Sequence, residues 1–206
     1  NLSAAQLSTI TNTENWTIPA GSEFTISDAV ITNNPGLSFN FAGAGTLTTG
    51  EDTAGGSLMS TPLNITSTAT GALKLIGSSG ADTFTFQQTE ELNASDTIDG
   101  NGGIDIIYIE NDDQAVGGIG DGVGNATTAA LGTSVTNVEK LIVTDLGLDD
   151  NAGNVTITLA AGMTQTAFTV DGTALDANVT TTDGEKLTVT NSDDLKLTAL
   201  GGSFGD

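Results

Sequence analysis

Two glycine-rich stretches hold the residues best suited to chemistry. The first, Gly77–Thr85, reads GSSGADTFT, and the second, Gly100–Tyr108, reads GNGGIDIIY. Each fits the nonapeptide G-G-x-G-x-D-x-U-x with a single departure at the second position, Ser78 in one and Asn101 in the other. The chemistry this spacing suits is the binding of a hard divalent cation. Glycines admit left-handed turns that aim several carbonyls at one point, and the Asp adds an anionic oxygen; calcium takes about six to eight oxygens. Asp82 and Asp105 are therefore the leading candidate calcium ligands, with the backbone carbonyls of Gly77, Ser79, Gly100 and Gly102 completing the shell. Asp96 and Asp99 flank the second loop, either as further ligands or as turn-capping acids. The doublets Asp112–Asp113, Asp149–Asp150 and Asp193–Asp194 read as solvated turns, although one pair would suit a further ion because adjacent carboxylates repel.

The elements that position these loops read as strands. Phe24–Ile31, Leu37–Phe41, Leu63–Thr66, Ala72–Ile76, Leu141–Asp145, Val155–Leu159, Ala167–Val170, Lys186–Thr190 and Leu195–Leu200 are rich in Thr, Val, Ile, Leu and Phe, often alternating, and Gly, Asn or Asp bound them. Trp16 and the phenylalanines at 24, 39, 41, 84, 86 and 168 read as core. Helical signals are almost absent: a short helix over 3–9 capped by Ser3 is only the lesser reading of the N-terminus, and 117–130 reads as a loop with room for one helical turn near Thr127–Leu131. The two glycine loops begin about 23 residues apart, close to one turn of a solenoid, so they would stack and share ions. The expected fold is all-β, a right-handed parallel β-helix with calcium along one edge; the alternative is a β-sandwich flanking a short calcium β-roll.

Internal similarity adds a longer period. Ile10–Glu14 aligns with Val135–Glu139, and Leu73–Leu75 with Leu195–Leu197, a unit of roughly 120–125 residues. This divides the chain into a β-rich segment 1–76, a calcium-loop segment 77–134 with a Gly/Ala-rich loop, and a second β-rich segment 135–206.

Composition narrows the function. The 206 residues carry 26 acids against four lysines, a net charge of −22, with no His and no Cys. Phosphate binding runs on Lys and Arg, so composition argues against nucleic acid and against an anionic membrane surface. No run approaches the roughly 20 apolar residues of a membrane span, so no membrane insertion is expected. A divalent cation is the natural partner of so acidic a chain. Gly201–Gly205 matches the G-x-S-x-G nucleophile pattern, but without His there is no base to activate Ser203. One Trp and one Tyr are poor material for a sugar-stacking catalytic cleft, and no enzyme activity is expected. No basic leader precedes Asn1, and the chain reads as a piece of something longer.

Taken together, GSSGADTFTF from Gly77, ASDTIDGNGGIDIIYI from Ala94 and the V-x-N-V-E-x-L-x-V strand from Val135 resemble RTX-type bacterial S-layer proteins and related RTX surface adhesins. The resemblance covers about Gly77 to Asp145, a third of the chain. That family commonly carries a G-I-E signature after the loops; Asn137-Val138-Glu139 and Asn12-Thr13-Glu14 stand in its place here. The resemblance implies type I secretion, calcium-triggered folding outside the cell, and self-association into a surface layer or extracellular matrix such as that of a biofilm. An adhesin module that binds a cell-surface polysaccharide is the other role it implies.

Overall fold

The computed structural model describes residues 4–50, 59–87, 91–111, 127–145, 155–160, 168–174, 187–191 and 197–200. Strands are numbered along the chain. Eight form the largest sheet: β1 (Asn15–Ile18), β3 (Ser38–Phe41), β5 (Asn64–Ser67), β7 (Thr83–Phe86), β9 (Ile106–Asn111), β12 (Lys140–Asp145), β14 (Phe168–Ala174) and β16 (Leu197–Leu200), adjacent in that order. Five form a second sheet, ordered β11 (Val135–Thr136), β8 (Thr97–Asp99), β6 (Leu73–Ile76), β4 (Gly45–Thr49) and β2 (Ser22–Ile26). A third joins β10 (Thr127–Leu131), β13 (Val155–Leu159) and β15 (Leu187–Asn191). Every pairing between these strands is parallel. Consecutive strands never share a sheet, so the chain lays one strand, crosses, and returns to lay the next beside the one before. The protein is mostly β with parallel sheets, and its largest sheet takes strands from all three segments expected from the sequence.

Register turns the period-two pattern into columns. In the largest sheet Phe39, Ile65, Phe84, Ile107, Leu141 and Val170 lie side by side, all buried. In the second sheet Phe24, half-buried, is followed by Leu47, Leu75, Ile98 and Val135, all buried. Each fully buried side chain of this size contributes about 1.5–3 kcal/mol, so the stacked columns help hold neighbouring strands together. Trp16 closes one column edge-on against Phe39, with ring centroids 5.6 Å apart. The outward positions of the first four strands carry small polar residues instead, as in the row Thr17, Asn40, Thr66 and Thr85, which continues through Tyr108, Ile142 and Asp171.

Two local expectations fail for identifiable reasons. The strand expected over Phe24–Ile31 stops at Ile26, and a short helix, α2 (Asp28–Asn33), follows. Ser27 precedes this helix and Asp28 sits in its first turn, where negative charge suits the dipole. Val30 and Ile31, adjacent rather than alternating, are both buried, which a helix allows and a strand with one covered face does not. The loop or helical turn read near Thr127–Leu131 is instead β10, because pairing with Val155–Leu159 buries Ala129 and Leu131 at alternate positions. An N-terminal helix, α1 (Ala4–Leu7), is present although the sequence signal for it is slight, and the cap considered for it, Ser3, lies outside the described residues.

The repeat anchors differ in how well they superpose. Asn12 and Asn137, aligned in sequence, are both left-handed (φ 57 and 51) and sit two residues before Glu14 and Glu139, which lead into β1 and β12 of the same sheet. Leu73–Leu75 lies in β6 of the second sheet, whereas Leu197 begins β16 of the largest. Leu195 and Lys196 lie outside the described residues.

Candidate cation site at a carboxylate-lined corner

The site grows from the position just before each strand of the largest sheet. Leu63, Asp82, Asp105 and Glu139 hold that position before β5, β7, β9 and β12. Their backbones are already linked, since Thr83 N donates to Leu63 O (2.9 Å), Ile106 N to Asp82 O (3.0 Å) and Lys140 N to Asp105 O (3.2 Å). At a corner the chain swings out of the sheet, and its N–H groups need other acceptors. The acidic side chains supply them. Asp82 Oδ1 accepts from Leu63 N at 2.7 Å, Asp105 Oδ1 from Asp82 N at 2.7 Å, and Glu139 Oε2 from Asp105 N at 2.8 Å. Each carboxylate thus takes the N–H of the equivalent residue before the neighbouring strand, and the corner is laced by a ladder of charge-assisted bonds.

The glycine loops fit around this ladder. Ser78 donates twice to Asp82, from N to Oδ2 (2.6 Å) and from Oγ to Oδ1 (2.9 Å), and its Oγ accepts from Gly80 N (2.9 Å). Asn101, left-handed at φ 64, donates from Nδ2 to Gly77 O at 2.6 Å and ties the second loop to the first. Both departures from the nonapeptide therefore have structural partners. The first glycine of each loop is required by close approach. A Cβ on Gly77 would lie 2.3 Å from Asp82 Oδ2; one on Gly100 would lie 2.3 Å from Asp105 Oδ2 and 2.1 Å from Asn137 O.

The expected ligands are divided among three places. Gly77, Asp82, Asp99, Gly100, Gly102 and Asp105 gather at the corner, where Asp99 Oδ1 accepts from Asn101 N (3.0 Å) and from Asn137 Nδ2 (2.8 Å), and Gly102 N reaches Ser78 O at 3.4 Å. Ser79 is exposed and held to Met59 O through its N (2.7 Å) and Oγ (3.2 Å). Asp96 sits at the other end of β8 and repeats the ladder chemistry there, accepting from Leu73 N and Asn93 N, each at 2.9 Å. The acidic doublets and Ser203 lie outside the described residues. Sequence reasoning missed the role of Glu139, and also Asn34, which is buried and accepts from Thr13 N (2.9 Å) and Oγ1 (2.7 Å) while donating to Ile10 O and Val30 O (2.8 Å each). The repeated N-x-E anchor was the signal that could have found Glu139.

Burial sets the electrostatics. Asp82, Asp96 and Asp105 are at most 1% exposed, and desolvation lifts each above the usual carboxylate range against the pull of its backbone donors. Asp105 is pushed up to about 7; after burial, the charges that raise it are Asp82, Glu139 and Asp99. Lys140 is no remedy, because its Nζ is paired with Asp171 Oδ2 at 2.7 Å.

These donor sets fit a cation unequally. Both oxygens of Asp82 and both of Asp96 already face chain donors, and Gly77 O accepts from Thr49 Oγ1 (2.6 Å) as well as Asn101. Asp105 Oδ2 is different: it is buried and has no hydrogen-bond partner. It packs, with Asn137 O, closely against the side of Gly100 that lacks a Cβ. Two hard oxygens in negative surroundings suit a hard cation. Among the described residues no three acidic side chains converge on one point, so carbonyls and water would have to fill the remaining positions. Compared with protein-family models, curated proteins and solved structures, the chain matches none.

Proposed function

We propose that this chain is a structural segment of a secreted, calcium-dependent surface layer or extracellular matrix, acting by self-association, and that its parallel sheets close into a right-handed β-helix. Strand-by-strand alternation between sheets supports the β-helix, and parallel crossovers are overwhelmingly right-handed. The observation that carries the calcium reading is the buried, unpartnered Asp105 Oδ2. Charge makes self-association depend on the cation. Chains at −22 repel one another, and a divalent cation relieves that repulsion within and between copies. With neither His nor Cys, the chain lacks the groups that most often act as base or as thiolate nucleophile.

Sedimentation velocity tests this directly. Millimolar calcium should convert monomers into large assemblies, and a chelator should reverse the change. A chain that stays monomeric in both conditions removes the self-association reading.

A second reading, an RTX adhesin module, is favoured by an open groove of about 330 Å³ across the starts of β2, β4, β6 and β8, where Glu23, Thr46, Lys74 and Thr97 stand in one row. A polar ladder of this kind suits a cell-surface polysaccharide. Failure of such a polymer to bind in calcium would eliminate it.

A further inference from the structure

We infer that the cation is held between the Gly100–Asp105 loop and the Asn137–Glu139 corner, with Asp105 Oδ2 and the Asn137 carbonyl as protein ligands, and not within the Gly77–Asp82 loop. The inference rests on the calcium reading above and adds a place and a ligand from outside both nonapeptides. Four observations carry it. Asp105 is fully buried, and its Oδ2 has no hydrogen-bond partner, an expensive state for a carboxylate. Its Oδ1 is fixed by Asp82 N at 2.7 Å, so the side chain cannot rotate Oδ2 away without breaking that bond. Gly100 lacks the Cβ that would collide with both Oδ2 and Asn137 O, so the two oxygens share one cradle. Asn137, left-handed and tied to Asp99 by its Nδ2, is held in place from the next turn.

At the first loop the equivalent positions are filled from within. Ser78 N takes Asp82 Oδ2, the counterpart of the open Asp105 oxygen. Asn101 stands in the second loop where Ser78 stands in the first, and its backbone N–H goes to Asp99 Oδ1 at 3.0 Å instead. The aim of the backbone N–H at the second position, where Asn101 is left-handed at φ 64, thus decides which loop keeps an open carboxylate oxygen. Glu139, committed through Oε2 to Asp105 N, adds negative charge beside the cradle. With so few protein oxygens, water would complete the shell, and affinity would sit at the weak extracellular end, on the order of 10⁻⁴–10⁻³ M.

The test uses calcium alone on the whole chain, with ion counting by equilibrium dialysis and thermal melting. Calcium should raise the wild-type melting temperature. Asp105→Asn should bind one ion fewer per chain and lose the calcium shift, yet in chelator it should melt above the wild type, because a neutral amide replaces a buried charge beside the Asn137 carbonyl. Glu14→Gln, a charge control at an exposed position just before β1, four strands from β9, should keep both the ion and the shift. An unchanged ion count and shift in Asp105→Asn would overturn the placement while leaving the calcium reading intact. No binding and no shift in the wild type would overturn both. Should Asp105→Asn fail to fold, amide chemical shifts of the wild type during calcium titration decide. The largest changes are expected at Gly100, Asp105, Asn137 and Glu139, and changes confined to 77–82 would overturn the placement.

Discussion

Asp82→Ala is expected to destabilise the fold by about 2–6 kcal/mol, because it strips the acceptor from two buried backbone N–H groups, at Leu63 and Ser78. Each buried donor left unpaired costs about 1–3 kcal/mol, and the Ser78 hydroxyl loses its acceptor as well. Removing a desolvated carboxylate returns part of this, which favours the lower half of the range. Even that is a large fraction of a typical folding free energy of roughly 5–15 kcal/mol. Urea unfolding measures the loss, and calcium should not restore it, since Asp82 acts on chain amides. A change below about 0.5 kcal/mol, the range of ordinary surface substitutions, would mean that the carboxylate does not hold the corner.

Stability in chelator is expected to rise as pH falls from about 8 to about 5, the reverse of ordinary acid denaturation. The sign follows from the direction of the shifts. Asp105 rises from 3.8 in the unfolded chain to about 7 in the folded one, and Asp82 and Asp96 rise as well. The folded state therefore binds protons more readily, and its advantage, complete below the unfolded value, is lost as pH climbs through about 7. Asp171 behaves oppositely: its bond to Lys140 lowers it, so its contribution fades only as pH drops below the ordinary carboxylate range. Calcium should flatten the profile above pH 5 by holding Asp105 in its charged form. Thermal melts at stepped pH, with and without calcium, read both effects. A profile in chelator that is flat or rises toward pH 8 would contradict the assignment of Asp105 as a buried, uncompensated carboxylate.

Much of this architecture was legible because it is local. Alternation in Leu37–Phe41, Val155–Leu159 and Lys186–Thr190 announces strands, and β3, β13 and β15 lie there. Phe39, Phe41, Phe84, Phe86 and Phe168 are buried as their spacing implied. What escaped depends on register between turns. Asp82 reads locally as a loop acid, but its first acceptor role is toward Leu63, nineteen positions back along the chain. Asp105 reaches Asp82 in the same way, across 23 positions. No periodicity within one loop reveals which amide stacks above it. Composition likewise gave Thr127–Leu131 no strand signal of its own; pairing with β13 imposed one. The Asn12 and Asn137 anchors lay between these extremes, visible as a repeat but not as left-handed turns leading into the same sheet.

Native-state hydrogen exchange at the amides of Leu63, Asp82 and Asp105 tests the corner ladder most directly. Side-chain carboxylates hold these three N–H groups, so they should exchange only on global unfolding, in step with the amides of β7 and β9. Exchange at the rate of an open loop, while those strands stay protected, would contradict the ladder and the cation site built upon it.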